Sequence, residues 1–402
     1  MADTVRIESI GAQGHGIAET PQGRVFVPFT VPGDLVRVSG GRLVEVLEPG
    51  PARVGPACAH FGDCGGCDLQ TWRADELLAW KRQHVVQTLA HRALTTDVAP
   101  VVATPAGERR RARLAVTRDG EQVLLGFRAR ESHRIVNLDA CPLLSPPLAA
   151  LVPALRTLAK GDAVFEITDT ESGTDLILEQ RSEPNAAMRG VLARFAAIHR
   201  VARVSWRSED NAEPELLAQL ATPVLRFGGV AVDLPAGAFV QASPTAEAAL
   251  LAEVKAAAKG AKRVADLYAG CGAFALPLAA LAPVHAVEGN AAAAHALEHA
   301  ARRANLRVTV EARDLSRRPL QGDELKKIDL VVLDPPRAGA KEQCDALARS
   351  KVATIAYVSC NPATFARDAR TLVDGGYRLE RVVPVDQFLW SAHVELVAIL
   401  RR

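Results

Sequence analysis

Val264-Ala265-Asp266-Leu267-Tyr268-Ala269-Gly270-Cys271-Gly272-Ala273-Phe274 is the stretch that decides the fold of this 402-residue chain. A short apolar run of the kind that forms a buried strand leads into an acidic residue and then a Gly-x-Gly turn. An apolar helical run, Leu276 to Leu281, follows. Glycines at such a turn let the backbone bend tightly and approach a ligand, as in nucleotide-binding strand-to-helix turns. The third glycine of the dinucleotide fingerprint is missing, because Phe274 and Ala275 stand there. Taken alone, the turn does not separate a binding loop from an ordinary tight turn.

The segments that follow repeat the pattern. Val284-His285-Ala286-Val287-Glu288 reads as a second strand, its carboxylate about 20 residues beyond the glycine turn, where it can accept hydrogen bonds from ribose hydroxyls. Asn290 caps an alanine-rich helix running to Asn305. Val308 to Ala312 is a third strand, followed by Asp314, and Ile328 to Leu333 a fourth, ending in Asp334-Pro335-Pro336-Arg337. Strands separated by helices, each ending in an acidic residue or a glycine turn, predict a parallel sheet with polar groups along one edge. A last apolar run, Ile355 to Val358, ends in Ser359-Cys360-Asn361-Pro362, so Cys360 is expected at the carboxyl edge of a strand and the mouth of a helix. A helix N-terminus favours thiolate over thiol, whereas a lone cysteine is as often packed into a core.

Asp266-x-Tyr268-x-Gly270-x-Gly272, Glu288, Asp334-Pro335-Pro336-Arg337-x-Gly339, Ser359-Cys360-Asn361-Pro362 and the terminal His393-Val394-Glu395 resemble the class I S-adenosylmethionine-dependent RNA uracil-C5 methyltransferases. The resemblance spans essentially the whole chain and is nearest the 23S rRNA enzymes that carry an iron–sulfur cluster. It implies that Cys360 is the nucleophile and Glu395 the proton acceptor. Uracil C5 is a poor nucleophile until a thiolate adds at C6, and a base must then take the C5 proton. It also implies donor binding by Gln241, Tyr268, Gly270, Glu288, Asp314 and Asp334. Tyr268 stands where the family usually has phenylalanine, and Ala273 where relatives often have asparagine. Gln387 to Ala392 lacks the family's histidine-rich form.

A second cysteine group lies far upstream. Cys58-x5-Cys64-x2-Cys67 and a remote Cys141-Pro142 have metal-binding arithmetic. Four cysteines suit zinc on ligand type, Cys-Pro as a last ligand suits an iron–sulfur cluster, and disulfides are the remaining reading. The resemblance points to a [4Fe–4S] cluster on Cys58, Cys64, Cys67 and Cys141, with zinc as runner-up. Cys271 and Cys344 are expected in the core.

Apolar residues make up 49% of the chain and the formal net charge is only +2, so charge as a whole does not announce nucleic acid. Local charge does more. Arg109-Arg110-Arg111-x-Arg113 and Arg128-x-Arg130, with His133-Arg134, flank a hairpin signalled by Arg118-Asp119-Gly120. They form either a phosphate-binding face or a solvated sheet face. Arginine supplies 39 of the 48 basic residues, which biased composition explains most simply. The start, Met1 to Arg6, has no apolar run of a signal peptide, and the most apolar stretch, Phe274 to Val287, is too short and too proline-broken to span a bilayer. A cytoplasmic, monomeric protein is expected.

The fold class expected is α/β, in three parts. Residues 1–52 form a small β-barrel whose glycine turns (Gly11, Gly14, Gly16) and Val31-Pro32-Gly33-Asp34 resemble the TRAM domain, an RNA-binding barrel. Residues 53–235 form an α+β central domain carrying the cysteine cluster and an RNA-binding insert, and 236–402 a Rossmann-like methyltransferase domain. The activity expected is methyl transfer from S-adenosylmethionine to C5 of a uridine in RNA, 23S rRNA ahead of tRNA. The rival readings are a methyltransferase on another base, such as cytosine, and a non-catalytic RNA-binding assembly factor.

Overall fold

The computed structural model describes every residue except 1, 2, 160 and 211. Its largest sheet has nine strands. Val308–Ala312, Val284–Glu288, Val264–Leu267, Leu330–Leu333 and Thr354–Ser359 lie side by side in that order, all parallel. Their near-continuous apolar character is what a sheet covered on both faces requires. The register aligns their carboxyl ends, with Leu267 opposite both Val287 and Leu333 and Leu333 opposite Tyr357. Tyr268, Glu288, Asp334 and Cys360 therefore emerge along one edge.

Two antiparallel strands complete the reactive edge. Glu395–Arg401 pairs with Thr354–Ser359, the last register pair being Ser359 opposite Leu396. One step further along an antiparallel ladder sets Glu395 beside Cys360. Arg378–Asp386 then pairs with Glu395–Arg401, placing Val385 opposite Glu395. The short strands Asp97–Val98 and Val102–Ala103 extend the sheet beyond Arg378–Asp386.

Helices cover both faces. Pro244–Ala257 and Ala291–Arg303 contribute Leu250, Val254 and Leu297 to one core. On the other, Lys341–Ala348 and Pro362–Asp374 pack with Val85 and Leu89 of Ala74–Ala90. The helix expected from Leu276 to Leu281 is only one turn, Ala275–Leu278, and Pro277 and Pro283 account for its brevity. Gly272 lies at φ +96°, and a Cβ there would sit 2.4 Å from Leu297 Cδ1, so this turn accepts only glycine. Cys271 and Cys344 are buried in these two cores, as expected.

Upstream, residues 111–219 build a six-stranded sheet with the helices Pro146–Leu155 and Ala186–His199 against its apolar face. The hairpin expected around Asp119-Gly120 is present between Arg111–Asp119 and Gln122–Gly126. The first six strands form two three-stranded sheets around Val5, Ile7, Ala18, Val27, Val36 and Val38. Among the described residues no helix is long and apolar enough to cross a membrane.

Candidate active site

Cys360 stands half-buried between the end of Thr354–Ser359 and the helix Pro362–Asp374. Asn361 caps that helix, its side chain accepting the Ala363 N–H at 3.1 Å. The same side chain donates to the Arg337 carbonyl at 3.2 Å, which Thr364 Oγ1 also reaches at 3.1 Å. Behind them Asp368 accepts from Tyr357 Oη at 2.7 Å and from the Ala340 N–H at 2.8 Å. The Asp334–Gly339 turn and the cysteine turn are thereby held as one unit.

A chain of side chains runs from the sheet edge to the carboxylate expected to act as base. Asp334 Oδ2 accepts from Gln241 Nε2 at 3.0 Å. Gln241 Oε1 accepts from Gln387 Nε2 at 2.9 Å, and the same Gln387 nitrogen donates to Glu395 Oε2 at 2.8 Å. Gln387 Oε1 in turn accepts the Ala242 N–H at 3.0 Å. Gln241, Gln387 and Glu395 are all buried. Arg110 fixes the Gln241 backbone, donating from Nε to its carbonyl at 2.8 Å while pairing with Glu247.

The electrostatics of this cluster are those of acids held protonated. Part of Asp334 faces solvent, yet the protein around it is dense enough that desolvation pushes its pKa to about 7, against the Gln241 hydrogen bond. Burial, with Asp334 adding to it, drives Glu395 well above the usual carboxylate range. Cys360 is pushed up to about 11, first by burial and then by Glu395, with Arg337 opposing. The thiolate expected from the helix N-terminus is therefore overruled: desolvation and a neighbouring carboxylate outweigh the helix end, and the resting group is a thiol.

Other donor-site candidates are more dispersed. Tyr268, half-buried, takes φ +63°. Gly270 donates its N–H to Glu288 Oε2 at 2.8 Å, and Glu288 Oε1 accepts from the Asn290 N–H at 2.6 Å. The carboxylate expected on ribose hydroxyls thus already braces the glycine turn. Asp314 is exposed and accepts from the Ser316 N–H and hydroxyl. Asp266 was passed over as a site residue, although the motif contains it. It has no surface exposure, neither carboxylate oxygen has a hydrogen-bond partner among the described residues, and burial drives its pKa far up, with Asp334 adding. Gln387 and Lys81 were also missed. Lys81, fully buried, pairs with Asp386 at 2.5 Å and donates to the Phe388 and His393 carbonyls at 3.0 and 2.9 Å, clamping the segment ahead of Glu395.

Cys58, Cys64, Cys67 and Cys141 line one cavity of about 140 Å³. All seven cysteines are free thiols. Gly66 turns its N–H to Cys64 Sγ at 3.4 Å. Burial pushes Cys67 up to about 12, with the Gln70 hydrogen bond opposing and the other three sulfurs contributing to the rise. No group of three or more His, Cys, Asp or Glu among the described residues is placed to hold a metal ion directly. The loop carrying Cys67 is tied to the segment before Glu395, since Asp68 and Leu69 both donate their N–H groups to the Trp390 carbonyl at 2.9 Å.

The arginine run does not present a free phosphate-binding face. Arg110 pairs with Glu247, Arg111 with Glu166, Arg113 with Glu179 and Asp210, Arg130 with Asp68 and Arg134 with Asp63. Most of the run is neutralised within the fold, which the sequence did not reveal because the partners lie on other strands and loops.

The tRNA (Uracil-5-)-methyltransferase family model matches residues 230–402. An uncharacterised RNA methyltransferase of Brucella suis biovar 1 is 44% identical over 410 residues, covering 99% of this chain and 97% of that protein. The 23S rRNA (uracil(1939)-C(5))-methyltransferase RlmD of Chromohalobacter salexigens is 37% identical, covering 100% of this chain and 90% of its own. The chain belongs to the RNA uracil-C5 methyltransferase family. Its fold agrees with that of the Pyrococcus abyssi tRNA (uracil-54, C5)-methyltransferase in complex with S-adenosyl-L-homocysteine, with a TM-score of 0.74 at 24% identity and full coverage of both chains. This methyltransferase is an S-adenosylmethionine-dependent enzyme that acts on RNA uracil C5.

Proposed function

We propose that this methyltransferase modifies a uridine of 23S rRNA, with Cys360 as nucleophile and Glu395 as base. The observation that carries the chemistry is the side-by-side placement of Cys360 and Glu395 at the ends of paired antiparallel strands. The preference for 23S rRNA rests on the 37%-identical RlmD relative, whose match covers all of this chain and 90% of its own length. S-adenosylmethionine supplies an electrophilic methyl group. Cys360 loses its thiol proton to solvent, and Sγ bonds to C6 of the flipped base, moving the C5–C6 electron pair toward an O4 enolate. C5 takes the methyl group as its bond to the donor sulfur breaks and S-adenosylhomocysteine is released, ionised Glu395 takes the C5 proton, and the C5–C6 double bond re-forms as the Cys360 thiolate leaves. Gln387 orients Glu395, and Gln241, Asp334, Tyr268, Gly270, Glu288 and Asp314 line the donor side. Exposed Phe239, two residues before Gln241, offers a stacking face for a neighbouring base.

The four upstream cysteines hold a [4Fe–4S] cluster. A zinc ion needs all four sulfurs about 2.3 Å from one point, whereas these thiols surround a cavity wide enough for a multi-atom group. Bound by four thiolates, the cluster would have no open iron position and would act structurally, tying the Cys58–Cys67 loop to Cys141, while Asp68 and Leu69 link that loop to the segment before Glu395. Residues 1–52 act as a TRAM-like RNA-binding barrel, 53–235 as a central domain shaping the RNA surface, whose segment 74–103 packs onto the large sheet, and 236–402 as the methyltransferase domain, in the cytoplasm.

The test is nucleoside mass spectrometry on rRNA and tRNA fractions from cells lacking the gene. Loss of 5-methyluridine from 23S rRNA alone supports the proposal. Loss confined to tRNA moves the substrate assignment, and unchanged 5-methyluridine in both contradicts it.

A further inference from the structure

Arg109 differs from its neighbours. It is half-buried and lines the same cavity as the four cysteines, yet no carboxylate pairs with it among the described residues. Its one side-chain hydrogen bond runs from Nε to the Arg111 carbonyl at 3.2 Å. Arg110, Arg111 and Arg113 all have acidic partners. A guanidinium taken out of water without a counter-charge is unfavourable, so the fold has reason to place an anion within its reach. The groups that share its cavity and would carry negative charge as cluster ligands are the sulfurs of Cys67 and Cys141. Arg109 also reaches a narrow cleft with Ala242, Ser243, Gln387 and Leu389, on the side of the catalytic cluster.

We infer that Arg109 is the fixed counter-ion of the thiolate-bound cluster, favouring its assembly and setting its reduction potential. The inference rests on the iron–sulfur reading of the four cysteines. A cluster with four thiolates is a net anion in each of its common states, and more negative after reduction. A cation alongside therefore favours the reduced form and raises the potential.

The experiment uses the full chain, purified without oxygen and reconstituted with iron and sulfide, as wild type, Arg109→Lys and Arg109→Met. Iron and sulfide content, visible absorbance and the reduction potential are measured, with S-adenosylhomocysteine binding as the check on folding. Wild type holding about four irons and four sulfides per chain upholds the cluster reading. Arg109→Met is then expected to shift the potential negative, or to lose the cluster several-fold faster in air, while Arg109→Lys stays near wild type. An unchanged potential and lifetime in a donor-binding Arg109→Met protein overturns the counter-ion role, and so does equal damage by both substitutions, which marks a packing role. Wild type that takes up no iron overturns the cluster reading itself, and the inference with it.

Discussion

Lys81 and Asp386 form an ion pair at 2.5 Å across 305 residues of sequence, with both side chains withdrawn from solvent. The pair joins the helix Ala74–Ala90 to the last residue of the strand Arg378–Asp386, and two further Lys81 bonds hold the Phe388 and His393 carbonyls. Its position makes it the anchor of the segment that delivers Gln387 and Glu395.

Removing one partner strands the other. Lys81→Met is expected to destabilise the protein by about 3–5 kcal/mol, the usual cost of leaving a buried charge unpaired, and to lower turnover. The double variant Lys81→Met, Asp386→Leu is expected to regain much of the melting temperature but not the activity, because the two carbonyls stay untethered. Full recovery of both would show that Lys81 serves stability alone.

Cys360→Ala is expected to abolish methyl transfer with donor affinity nearly unchanged, since no donor-side residue depends on the sulfur. Isothermal titration with S-adenosylhomocysteine and a tritium-transfer assay read the two separately. Residual turnover above a few per cent of wild type would remove Cys360 from its role.

Glu395→Gln keeps the shape and the Gln387 contact but cannot take the C5 proton. A methylated, covalent enzyme–RNA adduct is expected to accumulate as a slow band on denaturing gels. Clean turnover by this variant would assign the proton to another group.

The raised carboxyl groups set a pH dependence. In the folded chain Asp334 keeps its proton to about pH 7, while the unfolded chain releases it in the ordinary carboxylate range. The native state therefore binds more protons over that interval, and stability falls as pH rises through it, then levels off above about 7. Glu395, raised for the same reason, acts in the same direction. Activity moves oppositely, because the base must be ionised and the Cys360 thiol must lose its proton. The free enzyme is expected to melt lower at about pH 8 than at about pH 5, while kcat/KM climbs from about pH 6 to about pH 9. A flat rate profile over that range would contradict this assignment of protons.

The ends of the parallel strands were legible because burial on both faces writes continuous apolar runs, and the polar residue that stops each run marks the sheet edge. Cys360, Asp334 and Glu288 were found that way. Gln387, Lys81 and Arg109 were not. Their importance comes from an antiparallel return, a helix packed from hundreds of residues away and a cavity between segments, none of which leaves a local pattern. The pairing of the arginine run was hidden for the same reason, since Glu166, Glu179, Asp210 and Glu247 lie far from it in sequence. The ionisation state of Cys360 also depends on Glu395, which the ladder alone brings near.

The most direct measurement uses RNA carrying 5-fluorouridine, whose C5 fluorine cannot be removed as a proton. Incubated with S-adenosylmethionine, the enzyme should stop after methyl transfer with Cys360 bonded to C6. Digestion and mass spectrometry should find the methylated fluoro-nucleotide on the peptide containing Ser359-Cys360-Asn361-Pro362. Methylation with no adduct, or an adduct on any other residue, would contradict the account.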